Sequence, residues 1–198
     1  MACAVIIIYR SRDMRVIAGK AKGHSLKSLR GSAIRPTSDL IRGAIFSMLE
    51  TVASDWSRVL DLYAGTGALG IEALSRGAQW ADFVEKKPRL CALIKENLER
   101  TGFAAQGAVY CVSAAKALSI LDGEYGILFM DPPYADSSLT TTAEKLASSR
   151  LVGKESTLVI EHSRRVPLKE RYGDFHQIKN LHHGDSDVSV YQYAEGES

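Results

Sequence analysis

The chain has few cysteines and no obvious way to pair them. Its 198 residues contain three, Cys3, Cys91 and Cys111, with no C-x-x-C spacing. A disulfide scaffold and a zinc ribbon are both excluded on that ground, and the three read as small buried hydrophobes in a reducing compartment. His182 and His183 have no cysteine or acid at ligand spacing, so no metal site is expected. Internal repeats and low-complexity tracts are missing. So is any apolar run long enough to span a bilayer: Ala2–Tyr9 is apolar but short, with no basic flank and no cleavage signature. No Ser/His/Asp arrangement or nucleophile elbow stands out, which removes covalent hydrolase chemistry. With 45% hydrophobic residues and a net charge of +2, what remains is one core and an appendage.

The small net charge hides a strong asymmetry. Residues 10–42 hold nine Arg or Lys against Asp13 and Asp39, a segment charge of +7 that leaves −5 for the remainder. A basic arm on a mildly acidic body is the footprint of a protein that grips phosphates beside a catalytic domain. A solvated surface hairpin is the plain alternative. The arm has no interleaved aromatics, which favours backbone and shape contacts over base stacking.

Two motifs carry the chemistry. Asp131-Pro132-Pro133-Tyr134 follows the apolar run Ile127–Met130. The Asp131 carboxylate and the Pro132 carbonyl can each accept an N–H from an exocyclic amino group, and Tyr134 offers a face for the ring to stack on. Pro133 and Pro132 fix φ, which helps to aim the carbonyls. Such an amine is a poor nucleophile, and two preorganised acceptors favour the positive charge that develops on it as it attacks. The plain alternative is a strand-closing turn with a packed tyrosine.

Upstream, Arg58-Val59-Leu60-Asp61-Leu62-Tyr63 is an apolar strand that leads into Ala64-Gly65-Thr66-Gly67-Ala68-Leu69-Gly70 and then a helix. This satisfies G-x-G-x-x-G in its strand-to-helix context. A nicotinamide dinucleotide competes for that loop. Asp61, four residues before Gly65, would repel a pyrophosphate but suits the cationic end of S-adenosylmethionine. Glu85, 18 residues past Gly67, can hold both ribose hydroxyls in either cofactor. The Asp131 motif favours methyl transfer.

With both motifs in place, the chain resembles the RsmD family of bacterial 16S ribosomal RNA guanine-N2 methyltransferases. The matching pieces are Met14–Gly19, Arg35-Pro36-Thr37, Asp39, Arg42, Asp61–Gly70, Glu72–Ala78, Asn97-Leu98, the Asp131 motif and Glu161-His162-Ser163. The resemblance implies a cytoplasmic enzyme that uses S-adenosyl-L-methionine to methylate N2 of guanine 966 in 16S rRNA, within an assembled or assembling small subunit. No membrane and no obligate protein partner are implied, and because the family pattern begins at Met14, residues 1–13 read as an extension or a mis-assigned start. Carried over residue by residue, Asp61, Tyr63, Ala64, Gly65, Gly67, Glu85, Ser113 and Asp131 would line the cofactor site, with Ser113 at the adenine edge. Asp131, Pro132, Pro133 and Tyr134 would hold the extruded base. Arg15, Lys20, Lys22, Lys27, Arg35 and Arg42 would contact RNA. Three positions depart from the family: Gly43 for a usual Glu, Ser113 for a usual Asp, and His183-Gly184 for Tyr-Gly. The rivals are a DNA adenine-N6 methyltransferase, a protein glutamine-N5 methyltransferase, and a non-catalytic RNA-binding assembly factor that keeps the fold.

Strands near 58–62, 81–85, 108–112, 126–130 and 156–161 alternate with helices near 68–76, 88–101, 114–121 and 138–148. This alternation predicts an α/β, doubly wound, mostly parallel sheet. The resemblance adds the count, seven strands with the last antiparallel. A basic β-hairpin is expected over 14–34, and the catalytic domain over 35–198. A helix running from Thr37 or Ser38 to Val52 should bury Leu40, Ile41, Ala44, Ile45, Met48 and Leu49. Leu90, Leu93, Ile94 and Leu98 form a core stripe, and Phe175–Asn180 with Val188–Tyr193 a closing hairpin. His162 is expected to satisfy a loop and not to act on substrate.

Overall fold

The computed structural model describes residues 14–28, 39–133 and 137–194. Its centre is a set of short strands, most of them buried on both faces and so read as apolar runs rather than as alternating ones, with β3 only half-buried. These are β1 (Arg58–Asp61), β2 (Trp80–Val84), β3 (Gly107–Tyr110), β4 (Ile127–Met130) and β5 (Thr157–Ser163), all parallel to their neighbours in this group. Successive residues feed opposite layers. Val59 and Phe129 join one core with α1 (Asp39–Val52), α2 (Ala68–Ser75) and α3 (Pro88–Thr101). Leu60 and Leu128 join the other, with α4 (Ala114–Ile120) and α5 (Leu139–Ala147). This is the doubly wound arrangement that the alternation predicts. No helix among the described residues is long and apolar enough to cross a membrane.

Among the described residues the sheet has eight strands, in the order β3-β2-β1-β4-β5-β8-β7-β6. The expected count of seven omits β6 (Arg171–Tyr172), a two-residue edge strand that precedes β7 (Phe175–His183) and β8 (Ser186–Tyr193). Its position is fixed by packing: Tyr172 is 1% exposed and meets Tyr191 edge-on, with ring centroids 5.4 Å apart. The last strand, β8, is antiparallel to both β5 and β7.

Local signals set the helix ends. Pro88 occupies the first turn of α3, and Gly102 ends it in the left-handed conformation with φ 81°. Leu90, Leu93, Ile94 and Leu98 are all buried as the stripe predicts. In α1 the buried arc holds Ile41, Arg42, Ile45, Phe46, Met48 and Leu49. Leu40 is 71% exposed and Ala44 is exposed as well, against expectation. The physical reason is Arg42: its guanidinium turns inward, so the helix presents 42, 45, 46 and 49 to the core and residues 40 and 44 to solvent. The proposed caps Thr37 and Ser38 lie outside the described residues.

The expected N-terminal hairpin is a tight turn with one antiparallel bridge, Arg15 to Ser25. Many of its polar groups bond elsewhere. Ile17 and Ala18 donate their N–H groups to the two carboxylate oxygens of Glu72 at 2.7 and 3.0 Å, and Ala21 donates to Ser75 Oγ at 2.9 Å. On the return leg, Asn97 accepts from Lys27 N at 2.8 Å and donates to Lys27 O at 3.1 Å. A Cβ at Gly19 would stand 1.8 Å from Ser75 O, and its φ is +79°, so only glycine fits there. Met14, Val16, Ala21 and Leu26 enter the same core as α1 and α2.

Candidate active site

In an open α/β sheet, ligands lie beyond the carboxyl ends of the strands, where the connections diverge. Here β1 sits between β2 and β4. The glycine loop after β1 is therefore flanked by Glu85, which follows β2, and by Asp131, which follows β4. The backbone ties the three together. Leu62 N donates to Phe129 O at 3.0 Å, and Ala64 N donates to Val84 O at 2.9 Å.

Each glycine of the loop has its own reason. Gly65 (φ +55°) and Gly67 (φ +81°) adopt left-handed backbone, and a Cβ on Gly65 would meet only Tyr63 O at 3.9 Å. The space over Gly65 is thus open to a ligand. Gly70 lies inside α2, where a Cβ would come within 2.3 Å of the Phe83 ring, so this glycine permits close helix–strand packing. Glu85 already touches the loop: one carboxylate oxygen accepts from Gly65 N at 3.1 Å, and the other from Lys87 N at 2.8 Å. Tyr63 is half-buried against the second core, and Ala64 is buried.

Asp61 is 2% exposed, and its carboxylate accepts from Gly70 N at 3.1 Å. Burial pushes this carboxyl up to about 7, the Gly70 bond pulls it down, and the charge of Glu85 adds to the rise. The sequence suggested that Asp61 suits the cationic end of the cofactor. Its hydrogen bond to Gly70 N also makes Asp61 an organiser of the loop–helix junction from below.

Asp131 is half-buried at the end of β4, Pro132 is buried and Pro133 exposed. Tyr134 lies outside the described residues. Ser113 is the N-cap of α4, its hydroxyl accepting from Lys116 N at 3.2 Å. That bond uses one acceptor position of the hydroxyl that the resemblance places at the adenine edge. His162, 5% exposed, bonds Ser189 Oγ at 3.1 Å and Val166 O at 3.0 Å, which is a structural role. Among the described residues no cluster of three His, Cys, Asp or Glu could hold a metal.

The basic arm divides. Arg15, Lys20, Lys22 and Lys27 are exposed; Lys27 pairs with Glu96, and Arg15 with Asp39 at 3.6 Å. Arg35 lies outside the described residues. Arg42, expected to reach RNA, is fully buried: it donates to Arg15 O at 2.6 Å and Asp39 at 2.9 Å, and lies 3.9 Å from Glu72. That placement corrects its assignment, because a guanidinium with no exposed surface cannot meet a phosphate and instead anchors the arm. The functional weight of Glu72, Ser75 and Asn97 was missed from sequence. They appeared there only as matching letters, and the one available signal was a carboxylate inside an otherwise apolar helix face.

A family model described as conserved hypothetical protein 95 matches residues 14–192. The putative rRNA methyltransferase YlbH of Bacillus subtilis is 36% identical over 182 residues, which is 90% of this chain and 98% of that protein. Ribosomal RNA small subunit methyltransferase D of Escherichia coli (strain K12) is 32% identical over 151 residues, 76% of this chain and 75% of that one. Among solved structures, the putative methyltransferase yhhF from Escherichia coli superimposes with a TM-score of 0.79 at 27% identity, covering 91% of this chain and 98% of that chain.

Proposed function

The chain belongs to the RsmD family of rRNA methyltransferases, and on that premise we propose that it methylates N2 of guanine 966 in 16S rRNA with S-adenosylmethionine as donor. The observation that carries the reading is the alignment of three groups on one rim: the open Gly65–Gly67 loop, Glu85 beside it and Asp131 across β1 from it. The first two fit the cofactor. Open space over Gly65 admits the methionine part, the Asp61 charge beneath favours its ammonium, and Glu85 can exchange its loop bonds for ribose hydroxyls. The α4 turn at Ser113 would border the adenine.

The cofactor supplies an electrophilic methyl group on a sulfonium. The protein's contribution is alignment. Asp131 and the Pro132 carbonyl accept the two N–H groups of the guanine amine, which turns its lone pair toward the methyl. Their negative ends stabilise the charge that nitrogen gains as the new bond forms. Tyr134 stacks on the extruded base. The exposed cations Arg15, Lys20, Lys22 and Lys27 would hold phosphates of the RNA, within a small subunit in assembly or already assembled. DNA adenine chemistry shares the Asp131 motif, but the relatives at 36% and 32% identity are named as rRNA methyltransferases.

The test is methyl transfer from labelled S-adenosylmethionine to small subunits from cells lacking the enzyme, with the modified nucleotide mapped afterwards. Incorporation at N2 of guanine 966 is expected. Labelling of another nucleotide, or of DNA adenine alone, overturns the assignment.

A further inference from the structure

Cys91 and Cys111 have no sequence relationship that would pair them, yet the fold brings them together beside Glu85. Cys91 lies in the first turn of α3, is 5% exposed, and donates its S–H to the Glu85 carbonyl at 3.1 Å. The Cys111 thiol lies near enough to act on it electrostatically. Cys111 is exposed and occupies the centre of a three-residue turn at the end of β3, closed by Val112 N donating to Tyr110 O at 3.0 Å. Positive φ is confined to glycines among the described residues, so this is the common inverse form of the turn. The same Tyr110 carbonyl accepts from Glu85 N at 3.1 Å. The thiol pair therefore bridges the two strand ends that carry Glu85 and Ser113.

We infer that Cys91 and Cys111 form an oxidative modification site, at which hydrogen peroxide converts the two thiols to a reversible disulfide that weakens cofactor binding. The effect on the cofactor rests on the roles proposed for Glu85 and Ser113; formation of the bond does not. Exposure assigns the first step to Cys111. Its sulfur attacks a peroxide oxygen, the O–O bond breaks, and one water leaves as the sulfur becomes a sulfenic acid. The Cys91 sulfur then attacks the Cys111 sulfur. The S–O bond breaks, and the departing hydroxide takes the Cys91 proton to give the second water. Two thiols are oxidised and one peroxide is reduced.

The buried thiol does not take the first role. Burial pushes Cys91 up to about 12, and contact with Cys111 adds to the rise, so Cys91 remains protonated until the sulfenic acid forms beside it. A disulfide requires the sulfurs to close to about 2.05 Å. Closure takes Cys91 away from the Glu85 carbonyl and draws the Cys111 turn inward, shifting both strand ends at the ribose and adenine edges.

The experiment uses the full chain carrying Cys3→Ser, reduced and then exposed to hydrogen peroxide. Peptide mass mapping reads the bond, and calorimetry with S-adenosylhomocysteine reads the site. A Cys91–Cys111 peptide lacking two hydrogens is expected, with affinity at least ~tenfold weaker and restored by dithiothreitol. Cys111→Ser should give no crosslink and keep its affinity through peroxide treatment. Oxidation of Cys111 to sulfinic acid without a crosslink overturns the site. A crosslink that leaves affinity within about twofold overturns the coupling to the cofactor. Failure of the reduced protein to bind S-adenosylhomocysteine counts against the proposed function instead, and the mass measurement still decides whether the bond forms.

Discussion

Glu72→Gln tests whether one buried carboxylate holds the basic arm on the catalytic body. Glu72 has no exposed surface and accepts from Ile17 N at 2.7 Å, Ala18 N at 3.0 Å and Arg76 Nε at 2.9 Å. It also lies 3.9 Å from Arg42 Nε, whose guanidinium is equally buried. Glutamine keeps the shape but leaves one acceptor oxygen. If that oxygen serves Ala18 and Arg76, the new NH2 meets the Ile17 N–H donor to donor, and Arg42 loses a counter-charge. A buried donor left without its acceptor costs about 1–3 kcal/mol. Removing one partner of a buried ion pair costs about 3–5 kcal/mol. These losses overlap because the same oxygens are involved, and Asp39 still faces Arg42, so the expected loss is about 3 kcal/mol, a large share of the roughly 5–15 kcal/mol typical of a domain. Urea unfolding measures it. Hydrogen exchange at Ile17, Ala18 and Ala21 should accelerate more than exchange in β1 and β4, since the arm can undock before the sheet opens. Glu50→Gln is the control: Glu50 also pairs with Arg76 but its side chain is 54% exposed, so the change should cost under about 1 kcal/mol. A Glu72→Gln protein within about 1 kcal/mol of the parent, with unchanged exchange in the arm, refutes the clamp.

Asp131→Ala should lower methyl transfer by about 100-fold or more while sparing S-adenosylhomocysteine binding, and a variant retaining a tenth of the turnover contradicts the amine-receptor role. Tyr134→Phe should be mild and Tyr134→Ala severe in the same assay; equal losses would point to the hydroxyl. Replacing Lys20, Lys22 and Lys27 with Ala should weaken RNA binding and flatten its dependence on salt, read at several salt concentrations, whereas an unchanged slope assigns phosphate contact elsewhere. For Asp61, folding raises the carboxyl from 3.8 to about 7. Between those values the unfolded chain has released a proton that the folded chain retains, so stability of the cofactor-free protein falls as pH rises through that window and levels off above it. The change is at most about 4 kcal/mol; Asp61→Asn should remove it from urea unfolding curves taken across the window, and a parent curve that rises there disproves the burial argument. Gly43→Ala should stabilise the protein by about 0.4–1 kcal/mol in thermal or urea unfolding, because a Cβ there meets nothing within 4 Å and α1 gains a better helix former; a loss of stability would show that the helix needs that glycine.

The sequence alone determined the layer order and which residues stand on the rim. Apolar runs of four or five residues broken by helical stripes admit few folds other than a doubly wound sheet, and Pro88 and Gly102 mark the ends of α3 by fixed or permitted φ. The glycine loop, Glu85 and Asp131 were legible because each belongs to one strand end, where local spacing and position on the rim coincide. Contacts between distant segments were not legible. Whether Arg42 faces RNA or the interior depends on the buried Glu72, thirty residues away on another helix, and no periodicity in α1 carries that information. The two-residue strand β6 is too short to have a pattern and exists because Tyr172 packs on Tyr191. Cys91 and Cys111 read as unrelated hydrophobes until β2, β3 and α3 converge on Glu85. Local conformational preference is written residue by residue, whereas the partner of a buried charge or thiol is set by which surfaces the core brings face to face, and only the tertiary structure decides that.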